Sequence, residues 1–260
     1  MNKYTGAANR FPDACTKNPS LANAINSKAS QTLAQHTLRR GILLVYISTD
    51  YVFPGRPGEA PYKPDAEPSP TNIYGQSKRD GEIGVLKETE GIHDDRVLGV
   101  VLRVPLLYGK TSDENDPSVD GIHMLVKQIW ESQSIKEGQA KIKTDDYAQR
   151  YPTATQDVAR VIVDISKLYL QTRDKELPRI LHFSGQEAFT RYQMAELLAD
   201  ILGLPMDGIE RWDPTKDVNV ETQRPYDTHL DTSALKELGI DDSAVDFKGW
   251  WRWELNALRR

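Results

Sequence analysis

Two short runs of apolar residues constrain the fold of this 260-residue chain most strongly. Residues 42–48 (ILLVYIS) and 97–104 (VLGVVLRV) are almost wholly apolar and rich in Val and Ile. Runs of this length and composition are typical of parallel strands that are buried on both faces. A third strand is predicted over 179–183 (RILHF), and segments with helical spacing separate the three runs. This alternation predicts an α/β fold in which helices wind around a parallel sheet.

The segments between these strands carry clear helix and loop signals. Six prolines between residues 53 and 72 predict a loop, and the polar stretch 109–120 predicts another. Apolar residues at helical spacing predict helices over 19–38, 72–88, 121–133, 155–170 and 190–202. Thr190 is the predicted N-cap of the last of these helices. The tail over 244–258 is predicted to be helical too. Its residues Trp250, Trp251 and Trp253 either dock on their own domain or anchor another protein.

Composition excludes several classes of protein. The net charge of −5 gives no reason to expect nucleic acid or an anionic membrane as a partner. No stretch of about 18 apolar residues predicts a membrane helix, and the N-terminus lacks the apolar core of a signal peptide. The single cysteine, Cys15, rules out a disulfide within the chain and fits a reducing compartment, so the cytoplasm is the expected location.

Three residues carry the chemistry that the sequence predicts. Thr49 directly follows the first predicted strand, and Tyr74 and Lys78 lie one helical turn apart in YGQSK. A phenol with an ordinary pKa near ~10 exchanges protons poorly at pH 7, but a neighbouring ammonium lowers that pKa. Tyr74 could then donate a proton to a carbonyl oxygen, with Thr49 hydrogen-bonded to the same oxygen. The alternative is that Tyr74 and Lys78 form an ordinary surface pair on a helix.

Glycine, histidine and acidic residues point to structural roles. A dinucleotide loop requires glycines between a strand and a helix. The pairs Gly55/Gly58 and Gly81/Gly84 instead lie in the proline-rich loop and inside a predicted helix. The five histidines are scattered, so no metal site is predicted, and His182 is expected to be a hydrogen-bonded core residue. The acidic pair 145–146 is expected to be solvated.

Several segments together resemble a known family. The stretch ISTDYVF…YGQSK, followed by LRVPLLYG (102–109), is similar to the extended short-chain reductases of the dTDP-4-dehydrorhamnose reductase (RmlD) group. Within that group, the likeness is greatest to the regulatory β subunits of methionine adenosyltransferase. The segments that carry it are AANRFPDACTKNP (7–19), QRYPT with DVA (149–159), HFSGQEAFTRYQMAELLADILGLP (182–205) and QRP with LDTSAL (223–235).

The resemblance implies roles for individual residues. Thr49, Tyr74 and Lys78 take the positions of the family's catalytic triad and contribute to an NADP site. Ala7 and Ala8 would lie on the cofactor side of the sheet, and the backbone of Val104, Pro105 and Leu106 would lie near the nicotinamide. Arg150 and Thr153 would face the sugar-binding cleft. These roles are implied by the family and do not follow from spacing alone.

The resemblance also implies a particular organisation of the chain. Residues 1–260 would form one RmlD-like domain, with a partial Rossmann core over 1–110 and mainly elements of a small C-terminal substrate-binding lobe over 111–260. The family places two βα units and a glycine-rich loop, about 60 residues, ahead of the matching region. Without them, NADP binding is expected to be weak or lost, and strand 42–48 is expected near an exposed sheet edge.

Three functions remain open at this stage. The chain is expected to act as a non-catalytic regulatory subunit that binds the catalytic subunit of methionine adenosyltransferase in S-adenosylmethionine synthesis. Alternatively, it is an NADPH-dependent reductase of a 4-keto nucleotide sugar, which the Thr49, Tyr74 and Lys78 set favours. A third alternative is a shortened product of a longer gene with little function of its own.

Overall fold

The computed structural model describes residues 3–5, 8–90, 96–111, 120–172, 176–217, 220 and 222–257. Its strands are β1 Lys3–Thr5, β2 Leu44–Thr49, β3 Gly99–Val104, β4 Leu107–Tyr108, β5 Ile142–Asp145, β6 Thr153–Ala154, β7 Ile180–His182 and β8 Ile209–Trp212. Its α-helices are α1 Pro12–Lys17, α2 Pro19–Asn23, α3 Ala29–Leu38, α4 Ile73–Glu88, α5 His123–Ser132, α6 Thr155–Gln171, α7 Arg191–Leu202, α8 Ser233–Glu237 and α9 Phe247–Glu254. A π-helical turn spans Ala24–Lys28, and 3₁₀ turns span Asp50–Val52 and Pro214–Lys216.

The chain forms two compact units. Unit 1 gathers Met1–Pro105, Val158–Ser184 and Glu221–Asp242, and unit 2 gathers Leu106–Asp157, Gly185–Val220 and Ser243–Arg260. Each unit therefore combines three separate stretches of sequence. The expected boundary near residue 110 stays a prediction about domain organisation.

Unit 1 is built on a four-stranded parallel sheet in the order β1-β2-β3-β7. Strands β2 and β3 are buried, as their apolar sequences predicted, and they are adjacent and parallel. The α/β prediction is confirmed. Strand β1 had not been predicted, because three residues are too few to show a period. It leaves β2 one strand in from the sheet edge.

Helix α4 packs closely against unit 1's sheet and the helix before it. Its N-cap is Asn72, whose side chain accepts a hydrogen bond from the backbone N–H of Gly75. Gly81 lies where a Cβ atom would collide with the hydroxyl of Tyr46 and the carbonyl of Asn26. This glycine therefore serves close packing and not phosphate binding, as its position inside a predicted helix indicated.

The predicted helix over 19–38 is interrupted in its middle. The π-helical turn over Ala24–Lys28 widens the backbone between α2 and α3. At this turn the carbonyl of Asn26 accepts a hydrogen bond from the Tyr46 hydroxyl at 2.9 Å. The apolar pattern predicted one continuous helix because π-helical turns are rare and have no residue signature of their own in this segment.

Unit 2 contains two small parallel sheets, β4-β6 and β5-β8, and an apolar core. Helix α7 starts at Thr190 with a complete capping box and ends at Gly203 in the left-handed conformation, which confirms the predicted cap. Helix α9 buries Trp250 and Trp251 in this core, whereas Trp253 is 51% exposed. Docking on its own unit is thus confirmed for the first two tryptophans.

Candidate functional site

The residues predicted to carry the chemistry come together in unit 1. Thr49 ends β2, is 4% exposed and lies opposite Val104 at the end of β3. Tyr74 lies on the first turn of α4 and is close enough to Thr49 for its side chain to affect the pKa of Tyr74. Lys78 lies one turn further along the helix and is 3% exposed. The sheet therefore places these groups at the carboxyl ends of its strands, where open α/β sheets bind ligands.

The Tyr74 phenol is held in its neutral form. Burial raises the pKa of Tyr74 well above its ordinary value, and the nearby Asp50 carboxylate raises this pKa further. The contact with Thr49 lowers the pKa, but by less than burial raises it. The expectation that an ammonium would depress the pKa of Tyr74 is therefore wrong for the chain as it stands.

The position of Lys78 explains this difference. Its Nζ donates a hydrogen bond to the Ile47 carbonyl at 2.6 Å and lies 4.1 Å from the centre of the Tyr46 ring. Burial lowers the pKa of Lys78 from 10.5 to about 7, although the charge of Glu82 acts in the opposite direction. At pH 7 the amine thus carries only part of a charge, and it is directed toward β2.

We expect the stability of the protein to depend on pH through Lys78. The pKa of Lys78 is about 7 when folded and 10.5 when unfolded, so between these values the unfolded chain binds the additional proton. The contribution of Lys78 to the free energy of unfolding should therefore rise with pH in this window, by up to about 1.4 kcal/mol per pH unit. Urea unfolding of wild type and Lys78→Met at several pH values measures it as their difference.

The exposed Lys87 on the same helix provides the control for this measurement. Lys87→Met should leave the pH dependence of the free energy of unfolding unchanged. A wild-type curve parallel to that of Lys78→Met between pH 7 and 10.5 would show that Lys78 is not a buried, weakly charged amine.

Hydrogen bonds through the Asp50 carboxylate connect Thr49 to Thr228. The Thr49 hydroxyl donates to Asp50 at 3.0 Å, and the Thr228 hydroxyl donates to the other oxygen of the same carboxylate at 2.6 Å. Because a hydroxyl has one hydrogen, this arrangement leaves the Thr49 oxygen as an acceptor, and it accepts from the Tyr51 backbone N–H at 3.2 Å. Thr49 would need to leave Asp50 before it could donate to a substrate oxygen.

Asn26 belongs to the site but was missed in the sequence. Its side-chain oxygen accepts from the Asn9 backbone N–H at 2.8 Å, and its side-chain nitrogen donates to the Asn9 carbonyl at 3.0 Å and to Ser77 at 2.9 Å. It therefore connects the segment after β1 to the helix that carries Tyr74 and Lys78. The only signal in the sequence is a polar residue at a position where the helical pattern requires burial.

The other predicted cofactor residues have simple positions. Ala8 is partly exposed and precedes Asn9, the residue that Asn26 clamps, whereas Ala7 lies outside the described residues. Val104 is the last residue of β3 and lies opposite Thr49. Pro105 follows it and is the last residue of the first stretch of unit 1. That these residues lie near a nicotinamide stays a prediction.

The remaining predicted residues belong to unit 2. Leu106 accepts a hydrogen bond from the Thr153 backbone N–H at 2.9 Å. The Thr153 side chain is fully buried, and its hydroxyl donates to the Tyr151 carbonyl and accepts from the Gly185 N–H. Arg150 is 6% exposed and forms an ion pair with Asp145 at 3.6 Å.

The expectation that Asp145 and Asp146 are solvated is wrong for Asp145, whereas the side chain of Asp146 is 23% exposed. Asp145 is buried and accepts hydrogen bonds from the backbone N–H groups of Tyr147 and Ala148. Asp146 accepts from the hydroxyl of Thr190, the N-cap of α7. These carboxylates organise a turn, which a sequence pattern of two adjacent acids does not distinguish from a solvated loop.

Metal ligands and membrane spans are not found where the structure can be described. No group of three or more His, Cys, Asp or Glu side chains among these residues could hold a metal ion. None of the helices in this part of the chain is both long and apolar enough to cross a bilayer. His182 is a core residue with hydrogen-bond partners, as predicted.

Comparison with known proteins places this geometry in a family. The family model for the RmlD substrate binding domain matches residues 4–248. Methionine adenosyltransferase 2 subunit beta of Xenopus tropicalis is 36% identical over 90% of the chain, and that of Danio rerio is 34% identical over 97%. The chain covers 64% and 69% of the lengths of these two relatives.

Solved structures show the same fold. A dTDP-4-dehydrorhamnose reductase from Clostridium acetobutylicum superimposes with a TM-score of 0.79 over the whole of this chain and 81% of its own, at 20% identity. The reductase from Bacillus anthracis, solved in complex with NADP, has a TM-score of 0.73 and 24% identity, covering 98% of this chain and 78% of its own. The chain belongs to the RmlD substrate-binding domain family and, within it, to the group of the methionine adenosyltransferase 2 beta subunits.

Proposed function

We propose that this chain is a regulatory subunit that binds the catalytic subunit of a methionine adenosyltransferase in the cytoplasm. The observation that carries this proposal is the 34–36% identity to subunits of that name over at least 90% of the chain. The solved reductases, at 20–24% identity, support only the fold. The role in S-adenosylmethionine synthesis is thus drawn from the sequence relatives.

The resting geometry of the site supports a role without catalysis. Burial keeps the Tyr74 phenol neutral, and the Thr49 hydrogen is directed to Asp50. Lys78 donates to the Ile47 carbonyl, away from the chemistry that the sequence predicted. Proton transfer from Tyr74 at pH 7 would require these contacts to rearrange.

We infer that the chain binds NADP weakly. Thr49, Tyr74, Lys78 and the end of β3 fit the nicotinamide half of the site, where NADPH when bound would supply a hydride. Within the described ranges, Gly55 and Gly58 lie in a loop and Gly81 and Gly84 lie inside α4, so neither pair forms a phosphate-binding turn. Isothermal titration with NADPH should give a Kd at least ~100-fold weaker than about 1 μM.

The second candidate is reduction of a 4-keto nucleotide sugar. The contact between Thr49 and Tyr74, with Lys78 one turn away, favours it specifically. In that reaction Tyr74 would donate its hydroxyl proton to the carbonyl oxygen of the substrate. Thr49 would orient that oxygen after releasing Asp50.

Co-expression with a methionine adenosyltransferase catalytic subunit tests the proposal and separates the two candidates. Wild type and Tyr74→Phe would be compared by size-exclusion chromatography, by the rate of S-adenosylmethionine formation, and by NADPH oxidation with a 4-keto nucleotide sugar. A regulatory subunit should co-elute and change the rate of synthesis equally in both forms. Because the phenylalanine lacks only the hydroxyl, folding should be preserved.

The opposite pattern would contradict the proposal. Separate elution of folded wild type, with NADPH oxidation that Tyr74→Phe reduces by about 100-fold or more, would establish the reductase. Separate elution without NADPH oxidation would exclude both candidates under these conditions.

A further inference from the structure

A row of polar side chains crosses the buried sheet of unit 1 near the carboxyl ends of its strands. Ser48 on β2, Arg103 on β3 and His182 on β7 are register partners and are at most 3% exposed. Two of them converge on Glu82 of α4, which is fully buried. Ser48 donates to Glu82 at 2.6 Å, and Arg103 donates to both of its carboxylate oxygens at 2.9 and 2.8 Å.

The hydrogen-bond chemistry fixes the charge of each member of this row. Arg103 can only donate, so Nε2 of His182, 3.3 Å away, must accept. Nδ1 of His182 then carries the hydrogen and donates to the Tyr62 carbonyl at 3.2 Å. Burial, together with the Arg103 charge, lowers the pKa of His182 to about 3, so this imidazole is neutral at pH 7.

Lys78 belongs to the same arrangement through α4 and β2. Lys78 and Glu82 are one helical turn apart, so their side chains lie on one face of α4. Two consecutive residues of β2 hold them: the Ile47 carbonyl accepts from Lys78, and the Ser48 hydroxyl donates to Glu82. Charges interact strongly where water is excluded, and both side chains are almost completely buried.

We propose that Glu82 is a positioning residue that favours the charged form of Lys78, and that its hydrogen-bond donors Ser48 and Arg103 offset part of its negative charge. The consequence of this role for proton transfer rests on the reductase-type site proposed above. There, an ammonium at Lys78 would favour negative charge on Tyr74. Arg103 also limits the effect by neutralising part of the Glu82 charge. The protonation of Lys78 therefore depends on a hydrogen-bond network that includes side chains from β2, β3 and β7.

Other ionisable groups lie on elements packed around this part of α4. They are Tyr74, Arg79 and Asp80 on α4, Tyr46 on β2, Arg103 on β3, His182 on β7, Asp50 and Tyr51 after β2, and Cys15 on α1. Glu82 differs from these groups because it is the carboxylate one turn from Lys78. Changing Glu82 or its donors should therefore move the titration of Lys78 in a defined direction.

The titration of Lys78 can be followed directly by NMR of the full chain carrying ¹³C-labelled lysine. The signal that disappears in Lys78→Met identifies the residue. Glu82→Gln removes the charge that favours the ammonium and should lower the pKa of Lys78 by about half a unit or more. Ser48→Ala removes a donor that offsets the Glu82 charge and should raise this pKa. Glu88→Gln, which changes a partly exposed carboxylate on the same helix, is the control and should leave Lys78 unchanged.

A lower pKa of Lys78 in Glu82→Gln and a higher one in Ser48→Ala would support the proposal. A purely structural role of these two residues would not move the pKa of Lys78 in opposite directions. An unchanged pKa of Lys78 in both folded variants would overturn it. If Glu82→Gln does not fold, Ser48→Ala decides alone: a raised pKa supports the proposal and an unchanged or lowered one overturns it. The measurement needs neither a partner subunit nor turnover, so it is independent of the proposed function.

Discussion

Replacing Arg103 with methionine should lower the free energy of unfolding by about 3–5 kcal/mol. Arg103 is 1% exposed and Glu82 is fully buried, and two hydrogen bonds join them. Methionine would leave the Glu82 carboxylate in the protein interior with Ser48 and, at 3.4 Å, Arg79. A buried charge without its ionic partner has lost its hydration and gains little in return. Urea unfolding followed by far-UV circular dichroism at pH 7 measures the loss.

Two further variants make the Arg103 prediction specific. Arg56→Ala removes an exposed ion pair with Glu59 and should leave the unfolding midpoint unchanged. The double variant Arg103→Met/Glu82→Leu replaces both charges by apolar groups and should recover most of the lost stability. A loss below about 1 kcal/mol for Arg103→Met would show that this ion pair does not stabilise the fold.

Replacing Trp251 with alanine should cost unit 2 about 3–5 kcal/mol of stability. The Trp251 ring is fully buried, with ring centroids of Trp250 and His123 at 5.0 and 4.9 Å and that of Tyr108 at 6.0 Å. Alanine would leave a cavity that these aromatic rings cannot fill without moving. Thermal unfolding and near-UV circular dichroism, which reports aromatic packing, measure the effect.

Trp253 offers a matched control on the same helix. Its ring is 51% exposed, with the Lys110 amine 5.6 Å from its centre. Trp253→Ala should therefore change stability much less than Trp251→Ala. Equal losses for the two variants would show that α9 does not dock through Trp251, and that its aromatic residues act as one unit.

Much of the framework of this protein could be predicted from its sequence. The apolar runs at 42–48 and 97–104 form the adjacent parallel strands β2 and β3, and Thr190 caps α7 as its side chain and position indicated. The segment Tyr74–Lys78 lies on a helix that begins beside the end of β2. These features depend on local periodicity and on capping chemistry, which a sequence displays directly.

The residues themselves determined that β2 and β3 are buried, that Tyr74 and Lys78 lie one turn apart on a helix, and that Gly81 serves packing. Only the tertiary structure decided the state of this site. Asn26 reaches Asn9 and Ser77 through a π-helical turn, Thr228 reaches Asp50 from far along the chain, and the Ser48, Arg103 and His182 row depends on strand register. Burial raises the pKa of Tyr74 and lowers the pKa of Lys78, so that Tyr74 is neutral and Lys78 is only partly charged at pH 7. The cost of desolvating a charge depends on surrounding atoms that are distant in sequence.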